Sequence, residues 1–252
     1  MEPVLRVTDL SKSFSREGKD AFFAVDHVSF EVMPGEIMGI VGESGSGKST
    51  IAKLLTRQID ATTGTIEIDG QDITKLTGRQ LIPVYAKIQM VFQTPAESFD
   101  PRRTLGDGIC ESLRNKGVSK VERVEKARSL LEQCGLPGEF LERYPHQVSG
   151  GQCQRAAIAR ALMCDPQILI FDEATSALDV TVQKQIIDLL QKLQQEKKLA
   201  YLFICHNLAL VQKLCDKVIV LYDGKIVEHG LPDDVILNPQ SSYAKRLVDA
   251  VL

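Results

Sequence analysis

One short stretch of the sequence combines glycines, a lysine and hydroxyl side chains at a spacing suited to phosphate binding. Residues 42–49 read G-E-S-G-S-G-K-S, which fits the spacing G-x-x-x-x-G-K-[ST] without a gap. Glycines let the backbone curl so that successive N–H groups point at phosphate oxygens, and a following helix adds its positive dipole end. The lysine adds a point charge for the β and γ phosphates. The predicted phosphate-binding residues are Gly42, Glu43, Ser44, Gly45, Ser46, Gly47, Lys48, Ser49 and Thr50.

A pair of carboxylates supplies the second part of such a site. Residues 168–173 read I-L-I-F-D-E, an apolar strand that ends in two acids. Asp172 can hold Mg²⁺ together with the hydroxyl of Ser49, and Glu173 can reach an attacking water. An apolar strand ending in two acids is common in α/β proteins, so its weight comes from its co-occurrence with the glycine loop. The general-base role of Glu173 is a hypothesis.

A second group of small polar residues stands shortly before this strand. Residues 148–152 read V-S-G-G-Q, ahead of a predicted helix over residues 154–163. A helix N-terminus with Ser and Gly donors can bind a second anion. The same residues also make an ordinary helix cap. The local sequence alone leaves both interpretations open.

The elements around the glycine loop are predicted from hydrophobic patterning. Residues 4–9 and 28–32 alternate as strands, and the polar stretch 15–18 between them is predicted to be a loop. Residues 36–41 form a short apolar run typical of a buried parallel strand. Ile51, Leu54 and Leu55 then fall at helical spacing. The loop therefore lies between a strand and a helix, as a phosphate-binding loop requires.

The rest of the chain predicts an α/β domain with an insertion. Asp69-Gly70 predicts a hairpin turn, and residues 88–92 predict a strand. Residues 94–145 predict a mostly helical insertion with one clear helix near residues 124–131. Helices over 154–163 and 182–195 then alternate with strands over 168–171, 199–204 and 218–221, which predicts a parallel sheet covered on both faces. We expect one domain over 1–252, with a core of 1–93 and 146–252.

Composition excludes several classes. The chain has 252 residues, with 30 Lys+Arg against 33 Asp+Glu and a net charge of −3, so no global basic bias favours nucleic acid. No apolar run approaches the roughly 20 residues of a membrane-spanning helix. The opening M-E-P resembles no secretory signal, so a cytosolic protein is expected. The six cysteines contain no C-x-x-C pair, which favours buried, reduced side chains.

These motifs together resemble those of the ATP-binding cassette (ABC) ATPases, over nearly the whole chain. The resemblance implies a P-loop NTPase cassette with a RecA-like parallel-sheet core, an N-terminal antiparallel β-subdomain and a helical subdomain insertion. It also implies ATP and Mg²⁺ as cofactors and an active ATPase. In this family two cassettes pack head to tail, so the 148–152 signature binds the γ phosphate held by the partner.

The resemblance also assigns roles to single residues. Gln93 matches the glutamine that contacts Mg²⁺ and the attacking water, and His206 matches the histidine that contacts γ phosphate. Phe14 resembles the aromatic that stacks on adenine, with Phe22 and Phe23 as competitors. Residues 176–179 match a loop that crosses the dimer interface. The implied catalytic residues are Lys48, Gln93, Glu173 and His206, the Mg²⁺ ligands Ser49, Gln93 and Asp172, and the residues acting in trans Ser149, Gly150, Gly151, Gln152 and Asp179.

Subfamily features point to the peptide/nickel importer branch. Residues 88–93, 98–102 and 238–247 look like that branch, whose members energise uptake of peptides, nickel or related small solutes. This implies a second ABC ATPase subunit, two transmembrane permeases, an indirect solute-binding protein, no nucleic acid, and a peripheral place on the cytoplasmic membrane face. The alternatives are a soluble ABC ATPase acting on ribosomes or DNA, and a small-molecule kinase. Asn207 departs from the pattern, because Asp commonly follows the histidine.

Overall fold

The computed structural model describes residues 2–16, 19–175 and 178–250. Its strands are β1 (Leu5–Arg16), β2 (Lys19–Val32), β3 (Ile37–Val41), β4 (Thr63–Ile68), β5 (Gln71–Asp72), β6 (Ile88–Val91), β7 (Ile168–Asp172), β8 (Ala200–Ile204), β9 (Lys217–Tyr222) and β10 (Lys225–Gly230). Its α-helices are α1 (Lys48–Leu55), α2 (Ile82–Lys87), α3 (Leu105–Ile109), α4 (Glu111–Asn115), α5 (Lys120–Gln133), α6 (Gly150–Leu162), α7 (Val180–Lys197), α8 (Leu208–Leu214), α9 (Pro232–Leu237) and α10 (Ser242–Asp249).

The first sheet is antiparallel and has the order β2-β1-β4-β5. Strands β1 and β2 are longer than the sequence predicts: Ser15 and Arg16, expected in a loop, belong to β1, and β2 already begins at Lys19. The expected loop is therefore wrong at these positions. The alternating apolar pattern stops before Ser15, while the paired strands continue beyond it with polar residues. The pattern therefore indicated no strand at these positions.

The second sheet carries the site. Its order is β10-β9-β3-β8-β7-β6, and all neighbours are parallel except β10, which pairs antiparallel with β9. The strands β3, β7 and β8 are therefore adjacent and point the same way. Their carboxyl ends meet at one edge, where open α/β sheets bind ligands. The chain segments that leave this edge begin at Gly42, Glu173 and Cys205.

Helix α1 lies in the apolar core that joins the two sheets. Its Ile51, Leu54 and Leu55 are fully buried in one cluster with residues of both sheets. Burial of side chains of this size stabilises the fold by about 1.5–3 kcal/mol each. Fixing α1 in this way fixes the loop that precedes it.

Residues between β6 and α6 are mostly helical. The sequence pattern indicated one clear helix here, which is α5. It is capped by Ser119, whose side chain accepts from the N–H of Glu122. Helices α3 and α4 have five residues each. They are too short to show a helical period in the sequence, because that period is recognised over at least about 11 residues. Among the helices described, none is long and apolar enough to span a membrane.

Candidate active site

The glycine loop between β3 and α1 is held against two neighbouring strands. A Cβ at Gly42 would lie 2.2 Å from the carbonyl oxygen of Leu221 in β9, and one at Gly47 2.2 Å from that of Ala24 in β2. Gly47 also has φ 106°, in the left-handed region that favours glycine. Only glycine fits these positions, so the loop wraps tightly around the space ahead of α1.

Lys48 is folded back onto this loop. Its Nζ donates to the carbonyl oxygens of Gly42 (2.8 Å) and Glu43 (2.7 Å). Burial lowers the pKa of Lys48, and the carboxylates of Glu173 and Asp172 oppose this shift. A buried ammonium beside exposed backbone is therefore available to an anion that enters the loop.

Asp172 and Ser49 meet at the floor of the site. The Ser49 hydroxyl donates to Asp172 Oδ1 across 3.2 Å. Burial raises the pKa of the Asp172 carboxyl, while the Ser49 hydrogen bond works against that shift. A half-buried carboxylate beside a hydroxyl is the kind of oxygen pair that Mg²⁺ prefers. The described residues contain no group of three or more His, Cys, Asp or Glu side chains able to hold a metal.

Glu173 turns sharply away from the end of β7. Its φ is 49°, a conformation that costs non-glycine residues energy and that clusters at functional sites. Its N–H donates to the carbonyl of Ile204 in β8 (2.9 Å), which secures the turn. His206 follows β8, and its Nδ1 lies 3.9 Å from Glu173 Oε1. The structure therefore brings these two predicted residues together.

Gln93 lies on the β6 side of Asp172, whereas His206 lies on its β8 side. It follows β6 and lines a cavity of about 390 Å³ that Asp172 also lines, together with Phe92, Thr94, Glu97 and Ser98. Two of the three predicted Mg²⁺ ligands, Gln93 and Asp172, thus line one cavity, and the third, Ser49, is hydrogen-bonded to Asp172.

The three candidate adenine-stacking residues occupy the β1–β2 hairpin. Phe14 pairs with Phe22 across the two strands, and their rings stack with centroids 5.9 Å apart. Phe14, Phe22 and Phe23 are 36%, 45% and 46% exposed, so each presents a ring to solvent. Strand β2 reaches the glycine loop at Ala24. This arrangement does not distinguish the three rings, so the assignment of Phe14 as the adenine-stacking residue stays a prediction.

The signature residues lie elsewhere on the surface. Ser149 caps α6: its hydroxyl accepts from the N–H of Gln152, whose side chain accepts from the N–H of Ser149. Gly151 lets α6 approach α7, because a Cβ there would lie 2.5 Å from Val182 Cγ1. Within the described ranges, no hydrogen bond or ion pair joins residues 149–152 to residues 42–50.

Asp179 lies beside the signature. Its carboxylate caps α7 by accepting from the N–H of Val182 (2.9 Å). Leu178 lies close to Gly150, so the two segments share one surface. Ser176 and Ala177, which the predicted interface loop also includes, lie outside the described residues.

Two contacts with the glycine loop were missed at the sequence level. In the β9–β10 turn, the N–H of Gly224 donates to the carbonyl of Ser46 (3.0 Å). The hydroxyl of Tyr243 in α10 accepts from the N–H of Glu43 (2.9 Å). Both partners are far away in sequence, and no local pattern reports them.

The departure at Asn207 has a simple structural explanation. Its side chain caps α8 by accepting from the N–H of Leu210 (3.0 Å). Asn and Asp cap helices equally well. The preceding Cys205 is buried, which raises the pKa of its thiol to about 12 and keeps it protonated.

Taken together, a glycine loop on a helix N-terminus and a carboxylate pair at the same sheet edge define a P-loop nucleotide-hydrolysing domain. The family model described as ABC transporter matches residues 25–176. The chain belongs to the ABC transporter family and is an ATPase of the cassette type. The predicted family and α/β fold are confirmed.

Relatives and solved structures agree with this assignment. A putative peptide import ATP-binding protein of Brucella ovis is 43% identical over 250 residues, covering 99% of this chain and 78% of the relative. The glutathione import ATP-binding protein GsiA of Salmonella paratyphi A is 45% identical over 258 residues, covering 99% of this chain and 41% of the relative.

One similar solved structure is the ATP-binding cassette MJ0796, in a dimeric post-hydrolysis state bound to ADP and Pi. Its TM-score is 0.82 and its sequence identity is 29%, and the match covers 90% of this chain and 98% of that chain. CbiO1 of Clostridium perfringens, part of the ABC transporter complex cbiONQ, gives a TM-score of 0.84 and 25% identity, covering 100% and 96%. These comparisons confirm an ATP-binding cassette.

Proposed function

We propose that the chain is the ATP-hydrolysing subunit of an importer that takes up peptides or a related small solute through membrane-embedded permeases. The observation that carries this proposal is the 43% and 45% identity, over 99% of the chain, to proteins named for peptide and glutathione import. Through its permeases the chain would lie on the cytoplasmic face of the membrane.

ATP binding begins at the glycine loop. Backbone N–H groups of residues 44–50 surround the phosphates, and the helix dipole of α1 adds to the attraction. Lys48 Nζ exchanges the carbonyl oxygens of Gly42 and Glu43 for the β and γ phosphates. The adenine stacks on Phe14, beside Phe22, in the β1–β2 hairpin.

Asp172 and Gln93, which line one cavity, and Ser49, which is hydrogen-bonded to Asp172, would hold Mg²⁺. When bound, the ion neutralises charge on the β and γ phosphates. The burial that raises the pKa of Asp172 favours a cation beside it, because a positive charge stabilises the ionised carboxylate.

Glu173 and His206 act on the hydrolytic step. Glu173 is fixed by its hydrogen bond to β8 and accepts a proton from the attacking water. His206, 3.9 Å away, contacts the γ phosphate and orients it. General-base catalysis of this kind contributes about 10²–10⁴-fold to rate.

The signature needs a second cassette to act. Ser149, Gly150, Gly151 and Gln152, with Asp179 beside them, would bind the γ phosphate held by a second ABC ATPase subunit. ATP then stabilises the closed pair, because its phosphate contacts both chains, and hydrolysis removes that link.

A groove beside Gln93 is our candidate for permease docking. Its volume is about 440 Å³, and it lies between the α2–β6 region and the helical segment, with Tyr85 and Phe92 on one wall and Gly108 and Asn115 on the other. Ile82 and Tyr85 on α2 are 54% and 41% exposed. We propose that residues 94–145 form a helical subdomain of the single 1–252 domain and that a permease segment enters this groove.

The test is co-expression with the permeases encoded by neighbouring genes, followed by purification in detergent. The wild-type chain should co-purify with them, and Tyr85→Asp should reduce its recovery at least about tenfold by placing a charge in an apolar contact. Leu237→Asp, which changes an exposed residue on α9, is the matched control and should co-purify normally. A wild-type chain that stays soluble, or that instead binds ribosomes or DNA, contradicts the transport proposal.

A further inference from the structure

Among the described residues, one polar contact joins the C-terminal helix α10 to the glycine loop. Tyr243 is 3% exposed, and its hydroxyl accepts from the N–H of Glu43. Its ring packs against that of Tyr222 in β9, with centroids 4.2 Å apart. The hydroxyl is therefore held in place by the packing of the ring.

The geometry of one peptide group links this contact to Lys48. The N–H of Glu43 and the C=O of Gly42 belong to the same planar peptide unit, and in a trans unit they point in opposite directions. The N–H donates to Tyr243, and the C=O accepts from Lys48 Nζ at 2.8 Å. Tyr243 thus fixes the plane of the peptide against which the ammonium rests.

The N-terminus of α10 is itself anchored to the core. The two carboxylate oxygens of Glu228 in β10 accept from the N–H groups of Gln240 and Ser241, each at 2.8 Å. Although partial burial acts against it, these hydrogen bonds hold the pKa of Glu228 below its usual value. Ser241 also caps α10 by accepting from the N–H of Ala244. The helix is therefore fixed to β10 at its start and to the loop one residue into its first turn.

We infer that α10 braces the phosphate-binding loop and that Tyr243 is a positioning residue for Lys48 in nucleotide binding. In this proposal Tyr243 acts through its hydrogen bond to Glu43 and not by contact with nucleotide or the reacting atoms. It orients the 42–43 peptide so that Lys48 is held at the mouth of the loop before ATP enters. This inference rests on the proposed role of Lys48 in holding the β and γ phosphates.

The test compares two variants that each remove one hydroxyl from the packed pair Tyr222 and Tyr243. Tyr243→Phe keeps the ring packing and removes the acceptor for Glu43 N–H. Tyr222→Phe is the control, because no described residue makes a hydrogen bond to the Tyr222 hydroxyl. We expect Tyr243→Phe to raise the KM for ATP about fivefold, the effect of losing one hydrogen bond, and to change kcat less than about twofold. Tyr222→Phe should match the wild type.

Amide hydrogen exchange separates positioning from general destabilisation. In the nucleotide-free protein, well below its melting temperature, exchange in residues 42–47 should be faster in Tyr243→Phe than in Tyr222→Phe. Equal KM values and equal loop exchange in the two variants would overturn the inference, whatever their melting temperatures. Lys48→Ala keeps the two proposals apart: if it leaves ATP turnover intact, the proposed site fails, and if it abolishes turnover while Tyr243→Phe changes nothing, only the brace fails.

Discussion

Two helices of this protein, α1 and α6, have serines and glycines at or just before their N-termini. The two N-termini differ in the charged side chains that surround them. At α1 no side chain caps the helix, Gly47 occupies the capping position, and Lys48 is buried beside two carboxylates. At α6 the side chains of Ser149 and Gln152 cap the helix reciprocally. Ser149 and Gly150 are exposed, and no lysine or carboxylate pair is bound to them within the described chain.

The difference shows which anion site one chain can supply by itself. The α1 site has its glycine loop, its cation and its carboxylates at one edge of the same sheet, so we expect it to bind nucleotide in an isolated chain. The α6 site offers only a helix dipole and a few donors on an open surface. We expect it to become a strong anion site only when another surface excludes water from it. The head-to-tail pairing proposed above would provide that surface.

The largest effect should come from removing the cation at α1. Lys48→Ala leaves the loop without its point charge, so we expect ATP turnover to fall by at least about 10³-fold and nucleotide binding to weaken. Steady-state phosphate release and titration with a fluorescent ATP analogue measure the two effects. Turnover within tenfold of wild type would place the nucleotide elsewhere and remove the contrast between the two helices.

Glu173→Gln should separate binding from hydrolysis at the same site. The amide keeps the shape of the carboxylate but is not a base, so we expect turnover to fall about 10²-fold or more while ATP affinity stays within about threefold. Single-turnover hydrolysis and equilibrium binding check this. If Glu173→Gln turns over near the wild-type rate while Lys48→Ala is inactive, another group is the base.

The residues of the proposed catalytic site could be predicted from the sequence because its motifs are local. Residues 42–50 and the Asp172-Glu173 pair each lie at a strand end, where a few adjacent residues determine both the turn and the chemistry. The adenine-stacking residue was not readable in this way. Phe14 and Phe22 are paired across a hairpin, and their exposure is nearly equal, so neither spacing nor burial selects one of them.

Contacts between distant parts of the chain were not readable at all. The hydrogen bond from Glu43 to Tyr243 spans 200 positions. Its existence depends on where β10 ends and how Glu228 holds the start of α10, which are properties of the assembled fold. The short helices α3 and α4 and the extension of β1 through Arg16 were missed for a related reason, because tertiary packing outweighs weak local preference.

At α6 a substitution can keep the cap and change the anion site. Ser149→Asp retains a good N-cap, so folding and ATP binding by the isolated chain should not change. In the assembled transporter the added carboxylate repels the γ phosphate of the second cassette, and we expect turnover to fall by roughly ten- to a hundredfold. Gly151 is a poorer target, because its close approach to Val182 makes any side chain a packing defect.

An assembled transporter carrying Ser149→Asp that hydrolyses ATP at the wild-type rate would show that Ser149 is only a cap. The measurement is ATPase activity in proteoliposomes, with ATP binding and thermal unfolding of the isolated chain as controls for folding. A loss of stability in the isolated chain would contradict the expectation that the cap survives.

The smallest effect is expected at a third helix N-terminus, which provides the matched case of a cap without a phosphate site. Asn207 caps α8 directly after His206. Asn207→Asp preserves the cap, so turnover should stay within about twofold and stability should be unchanged. Asn207→Ala removes the acceptor for Leu210 N–H and should lower the free energy of unfolding by about 1 kcal/mol, measured by urea denaturation.

Because Asp is tolerated as a cap at both positions, a loss of turnover in Ser149→Asp but not in Asn207→Asp would assign the effect to phosphate repulsion at α6. Equal losses would mean that a new carboxylate at either helix N-terminus disturbs catalysis. The distinction between the α1 site and the α6 site would then rest on Lys48 alone.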